Sequence, residues 1–200
     1  MKNIPIALIY SRIFIGFAIL LLAFYTPMHS VAYIIGLIIT GLLTDIFDGI
    51  IARQLKISTT KMCRLDSNID MVFWICVIAA SYVLAPDFYR SNFVELAILV
   101  TLEACCYVLS YIRFKKEVAT HALSAKAWAL LLFATLIQVI ATGTSGALFV
   151  LCFYWGIISR LEIIAMLIVI KKWTNDIPTI YHAFKIRKGK EIKRLKLFNG

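Results

Sequence analysis

From Val31 to Arg53 the chain reads VAYIIGLIITGLLTDIFDGIIAR, and the order of its parts decides what kind of protein this is. For about 20 residues the stretch is almost wholly apolar, enough helix at 1.5 Å per residue to cross a hydrocarbon core of roughly 30 Å. At the end of that run it carries two acids, Asp45 and Asp48. Acids inside or at the end of a membrane span are costly, so they are usually paired or in use.

Similar runs lie on either side. They extend from Ile6 to Tyr25, Asp66 to Leu84, Phe93 to Ile112, Ala125 to Thr142 and Ala147 to Ile170, with breaks at Pro27, Pro86 and Thr142 to Gly146. The chain is 62% hydrophobic and 16% charged, with a mean hydropathy of +0.87, well outside the range of a soluble domain of this size. The first run is too long for a secretory signal, lacks a small-residue cleavage site and is followed at once by another span. The expectation is therefore an all-α polytopic membrane protein with six transmembrane helices. Residues 1–173 form the membrane domain and residues 174–200 a basic juxtamembrane tail.

Lysine and arginine orient this bundle. Lys2 and Arg12 flank the start, Arg53, Lys56, Lys61 and Arg64 fill the second connection, and Arg113, Lys115, Lys116 and Lys126 the fourth; a dense basic run follows Ile170. Under the positive-inside rule these segments are cytoplasmic, which puts both termini on that side. The net charge of +10 does not point to nucleic acid, because the basic residues flank spans and are not interleaved with stacking aromatics. Attraction to anionic lipid head groups fits better, and Ile177 to Lys196, which mixes Ile180, Tyr181, Phe184 and Ile186 with lysines, reads as an amphipathic helix along the interface. The five cysteines show no metal-ligand spacing and read as small apolar filler.

Of eleven acidic residues, four lie between Asp45 and Asp70. Asp45 and Asp48 are three apart and Asp66 and Asp70 four apart, which puts each pair on one face of its helix. A short connection makes the two helices an antiparallel hairpin, so the pairs can face each other. Two carboxylates 4 Å apart repel by about 4 kcal/mol at an effective dielectric near 20. The cluster must therefore be protonated, salt-bridged or neutralised by a cation, and hard oxygen ligands favour magnesium, manganese or calcium. The plainer alternative is that Asp45 and Asp48 pair with Arg53 and Lys56, and Asp66 and Asp70 with Lys61 and Arg64.

The full pattern is Asp45, two residues, Asp48, Gly49, two residues, Ala52, Arg53, eight residues, Met62, three residues, Asp66, three residues, Asp70. It resembles the signature of the CDP-alcohol phosphotransferase family, class I CDP-alcohol phosphatidyltransferases, with every interval kept. The departure is Met62, where the family has glycine; a methionine there crowds the backbone unless its side chain turns away. The resemblance implies an enzyme of phospholipid biosynthesis that transfers a phosphatidyl group from a CDP-alcohol, with CDP-diacylglycerol the usual donor, to an alcohol with release of CMP. It implies Mg2+ or Mn2+ held by Asp45, Asp48, Asp66 and Asp70, with Asp70 also the catalytic base toward the acceptor hydroxyl. Gly49, Ala52 and Arg53 would bind the CDP part, the small residues by leaving room and the guanidinium by holding phosphate.

For the acceptor, the candidates are Arg113 at the end of the fourth span, Lys126 at the start of the fifth and Arg160 inside the last, beside Glu162. A phosphorylated acceptor such as glycerol 3-phosphate or an inositol phosphate would suit them. Asn3-Ile4-Pro5 followed by Ser11-Arg12 also resembles the opening of phosphatidylglycerophosphate synthases, which favours glycerol 3-phosphate. The resemblance allows a homodimer, and the basic connections with no targeting segment lead us to expect a cytoplasmic membrane with the site facing the cytoplasm. His29, His121 and His182 are scattered and form no nucleophile constellation with Ser and Asp, although His121 stands in the basic fourth connection. A cation transporter, the main reading from another class, would gather its acids near the bilayer midplane rather than at one face.

Overall fold

The computed structural model describes residues 4–26, 29–55, 60–116, 118, 120, 122–144, 146–174 and 177–189, and of residues 52, 53, 60, 61, 63, 64 and 67 the backbone alone. Every regular element among them is an α-helix: α1 (Ile4–Tyr25), α2 (Val31–Gln54), α3 (Thr60–Leu84), α4 (Pro86–Ser91), α5 (Phe93–Phe114), α6 (Leu123–Thr142), α7 (Ala147–Val169) and α8 (Ile180–Arg187).

Five of these, α1, α2, α5, α6 and α7, are long and apolar enough to cross a membrane. The run expected as the third span differs. Helix α3 has 25 residues; its opening turns read TKMCRLDSNID and carry two of the site acids, and among the described residues its apolar stretch is Asn68–Leu84. Among the described residues there are thus five helices of spanning length and one shorter apolar helix. Helix α4, where only a break was expected, starts on Pro86, whose fixed φ and missing N–H suit the first helical position. Asp87 in its first turn and Arg90 in its last complement the helix dipole.

Contacts divide the chain into two compact units, Met1–Tyr89 with Leu136–Thr144, and Arg90–Thr135 with Ser145–Gly200. In the first, α1 packs on both α2 and α3. Its inner stripe is Pro5, Ile9, Arg12, Gly16, Ile19 and Ala23, at helical spacing, while Phe14, Phe17, Leu21 and Phe24 are exposed on the outside, as suits a helix whose solvent is acyl chains. Small residues let the helices close up. A Cβ on Gly16 would stand 3.3 Å from that of Cys76, and one on Gly41 of α2 would overlap the Phe73 ring of α3.

In the second unit α5 packs on α7, and α8 docks onto α7 around a core of Cys106, Ile163, Met166, Leu167 and Ile170. The tail expected to lie along the membrane surface is, in its described part, woven into this core: Ile177 and Ala183 are fully buried. The Ile177 N–H donates to Thr120 O (2.7 Å) and the Leu123 N–H to Pro178 O (3.0 Å), so backbone hydrogen bonds add to the packing that holds the segment. Residues 190–196 of that expected helix lie outside the described residues.

Candidate active site

The site is assembled in the first unit from α1, α2 and α3. Asp45 and Asp48 lie one turn apart on α2, Asp66 and Asp70 one turn apart on α3, and the structure brings all four onto a single guanidinium, that of Arg12 on α1. Nη1 donates to Asp45 Oδ1 at 2.8 Å and to Asp70 Oδ1; Nη2 donates to Asp48 Oδ2 at 2.6 Å and to Asp66 Oδ1. Each nitrogen thus bridges one acid of α2 and one of α3, pairing 45 with 70 and 48 with 66, as two antiparallel helices demand. The Arg12 side chain is 0% exposed and that of Asp48 3%, while Asp45, Asp66 and Asp70 are about one-third open. The cluster is closed at its floor and reachable from one side.

One positive charge against four negative leaves three formal charges uncompensated. No other ion pair to these acids occurs among the described residues; Lys56 and the side chains of Arg53, Lys61 and Arg64 lie outside them. A divalent cation fits this donor set on two counts. Carboxylate oxygens of Asp45, Asp48 and Asp66 lie within 4.8 Å of one another, and hard oxygen donors carrying excess negative charge are what Mg2+ and Mn2+ take. The guanidinium already shows the acids converging on a cation.

Gly49 is half-buried next to Asp48 on α2, whereas the side chains of Ala52 and Arg53 lie outside the described residues, as does His121. Met62, at the position where the signature has glycine, is half-buried in the first turn of α3.

The three cations expected at the acceptor all lie in the second unit. Arg113 donates from Nη1 to Leu167 O (2.6 Å) and Ile168 O (2.7 Å), two of the carbonyls that the end of α7 leaves without intrahelical partners. Arg160 is buried; its Nε is ion-paired with Glu103, its Nη1 reaches Ser159 Oγ at 3.4 Å, and its guanidinium lies 4.2 Å from the centroid of the Trp128 ring. Trp128 is in turn fixed by an Nε1–H bond to Cys152 O of 3.1 Å and enters beside Gly156, where a Cβ would fall 2.6 Å from Nε1. Lys126 is half-buried on the first turn of α6. Glu162, the neighbour in sequence, turns elsewhere: Oε2 accepts from Ser124 Oγ (2.5 Å) and Oε1 from the Ile180 N–H (3.1 Å).

Arg12, read from sequence as a flanking cation and as part of the Ser11-Arg12 opening, was not expected at the acid cluster. Two signals marked it. It is the one charge inside the Ile6 to Tyr25 run, where a cation is functional by default, and it falls in step with Gly16 on one helix face.

The sequence model of the family described as CDP-alcohol phosphatidyltransferase matches residues 2–171. No curated protein and no solved structure matches the chain.

Proposed function

Because the chain belongs to the CDP-alcohol phosphatidyltransferase family, transferases that move a phosphatidyl group from a CDP-alcohol to an alcohol acceptor, we propose that the donor here is CDP-diacylglycerol, the acceptor is glycerol 3-phosphate and the reaction takes place at the acid cluster. The observation that supports this reading most is the convergence of the four signature aspartates, Asp45, Asp48, Asp66 and Asp70, around one cation position.

The family generally needs a divalent cation, and Asp45, Asp48, Asp66 and Asp70 are the residues that would hold Mg2+ or Mn2+. When bound, such an ion offsets the charge of the donor pyrophosphate and of the departing CMP. Gly49 and Ala52 leave space along α2 for the CDP part, and Arg53 holds a donor phosphate. Asp70 removes the proton from the acceptor hydroxyl. The oxygen so freed attacks the phosphorus that bears diacylglycerol, the phosphoanhydride bond breaks, and CMP leaves with its electron pair. Arg113, Lys126 and Arg160 are assigned to the acceptor's own phosphate on their charge alone.

The basic connections support six crossings with both termini and the reaction on the cytoplasmic face of the cytoplasmic membrane. The test is CMP release by the purified, detergent-solubilised protein from CDP-diacylglycerol with Mg2+ or Mn2+ and a panel of alcohols, with the product identified by mass. Release with glycerol 3-phosphate is expected. Release with an inositol phosphate alone would keep the chemistry and replace the acceptor, and silence with every alcohol would refute the reading.

A further inference from the structure

Arg12 lies outside the Asp45 to Asp70 signature, and its geometry is unusual in three ways. Its guanidinium is buried completely. Both Nη atoms are shared between acids of two different helices. Its third donor, Nε, is buried with no hydrogen-bond partner. A guanidinium placed for good as a structural ion pair would have all its donors satisfied, because a buried donor without a partner is expensive.

The oxygens that receive Arg12 belong to the same acids whose oxygens lie close enough to share a metal ion. A lone pair occupied by N–H is unavailable to a metal, and a fixed positive charge in the middle of the donor set repels a second one. We infer that Arg12 is the resident counter-cation of the metal-free site, competing with the divalent cation for these carboxylates, and that on loading it yields them and turns its fork, Nε included, to the donor's phosphate. It is a positioning residue for the reaction: it keeps four carboxylates together while the site is empty and sets how tightly metal is held. This rests on the metal reading of the cluster given above.

The experiment is Mn2+ binding to the full-length protein in detergent, without nucleotide, measured by calorimetry and by the paramagnetic resonance of free Mn2+, alongside thermal melting in EDTA. Arg12→Gln, close in size and uncharged, is expected to bind Mn2+ about tenfold tighter or more, because the competing charge is gone. Its melting temperature in EDTA is expected to fall below that of the unaltered protein, and the gap to close when Mn2+ is added. Arg12→Lys keeps the charge without the fork, so it tolerates folding even where the glutamine variant does not, and is expected to bind Mn2+ more tightly than arginine by a smaller factor. Unchanged or weaker Mn2+ binding in the foldable variants would overturn the inference, since a merely structural arginine has no reason to tighten a metal site. Failure of the metal reading is distinguishable: the unaltered protein and Asp48→Ala would then both lack saturable Mn2+ binding, or would bind it equally, and the inference would fall with that reading.

Discussion

Two buried arginines, one in each unit, show opposite ways of handling a charge in apolar surroundings. Arg160 in α7 meets one carboxylate, Glu103, and one ring face, Trp128, so its charge is matched one for one and its apolar plane is covered. Arg12 in α1 meets four carboxylates. Desolvating ions is expensive, and a pair that only holds helices together needs no surplus of either sign. The two differ in balance: the acids around Arg12 outnumber the cation, and those around Arg160 do not.

The largest effects expected are at the surplus. EDTA should reduce CMP release to background and lower the melting temperature, with Mg2+ or Mn2+ restoring both; an enzyme still active without metal would erase the contrast between the two arginines. Asp70→Asn should cut CMP release by about a hundredfold to ten-thousandfold. Its melting temperature in EDTA should hold or rise, since one of four repelling charges has been removed, and a large fall would make Asp70 structural instead.

At the matched pair the sign reverses. Arg160→Leu leaves Glu103, whose side chain is 42% exposed, without its counter-charge and removes a buried cation from Trp128; a lower melting temperature is expected. The double change Arg160→Leu with Glu103→Leu should regain most of that loss. In the double variant the KM for glycerol 3-phosphate separates two roles: a rise of about tenfold or more assigns the guanidinium to the acceptor's phosphate, and an unchanged KM confines it to packing. The smallest effect is expected from Gly156→Ala, where a methyl group would press on Trp128 and Leu99. It should cost about 1 kcal/mol, read by thermal melting, with little change in the KM for donor or acceptor.

The all-helical membrane fold and the four aspartates were legible from sequence because both are local patterns. Span length is read residue by residue, and the intervals between Asp45 and Asp48 and between Asp66 and Asp70 are set by the pitch of the helix that carries them. Arg12 was not legible in the same way. It lies 33 residues from Asp45 and 58 from Asp70, and in a span where outer and inner faces are both apolar, periodicity does not show which face turns inward. Arg113 illustrates the limit from the other side. A cation at the end of a span reads the same in sequence whether it meets a lipid phosphate, a substrate or, as here, the carbonyls at the end of a neighbouring helix.

The tether at Glu162 has a practical corollary. Its Oε1 receives the Ile180 N–H, and Ile177 and Ala183 close the floor of the core behind it, although the family match stops at residue 171. A protein trimmed to the matched region would carry an apolar pit and an acid stripped of its amide, and would tend to precipitate on extraction from the bilayer. Affinity handles and reporter fusions should leave Ile177 to Gly189 intact, since loss of that segment should loosen the molecule rather than merely shorten it.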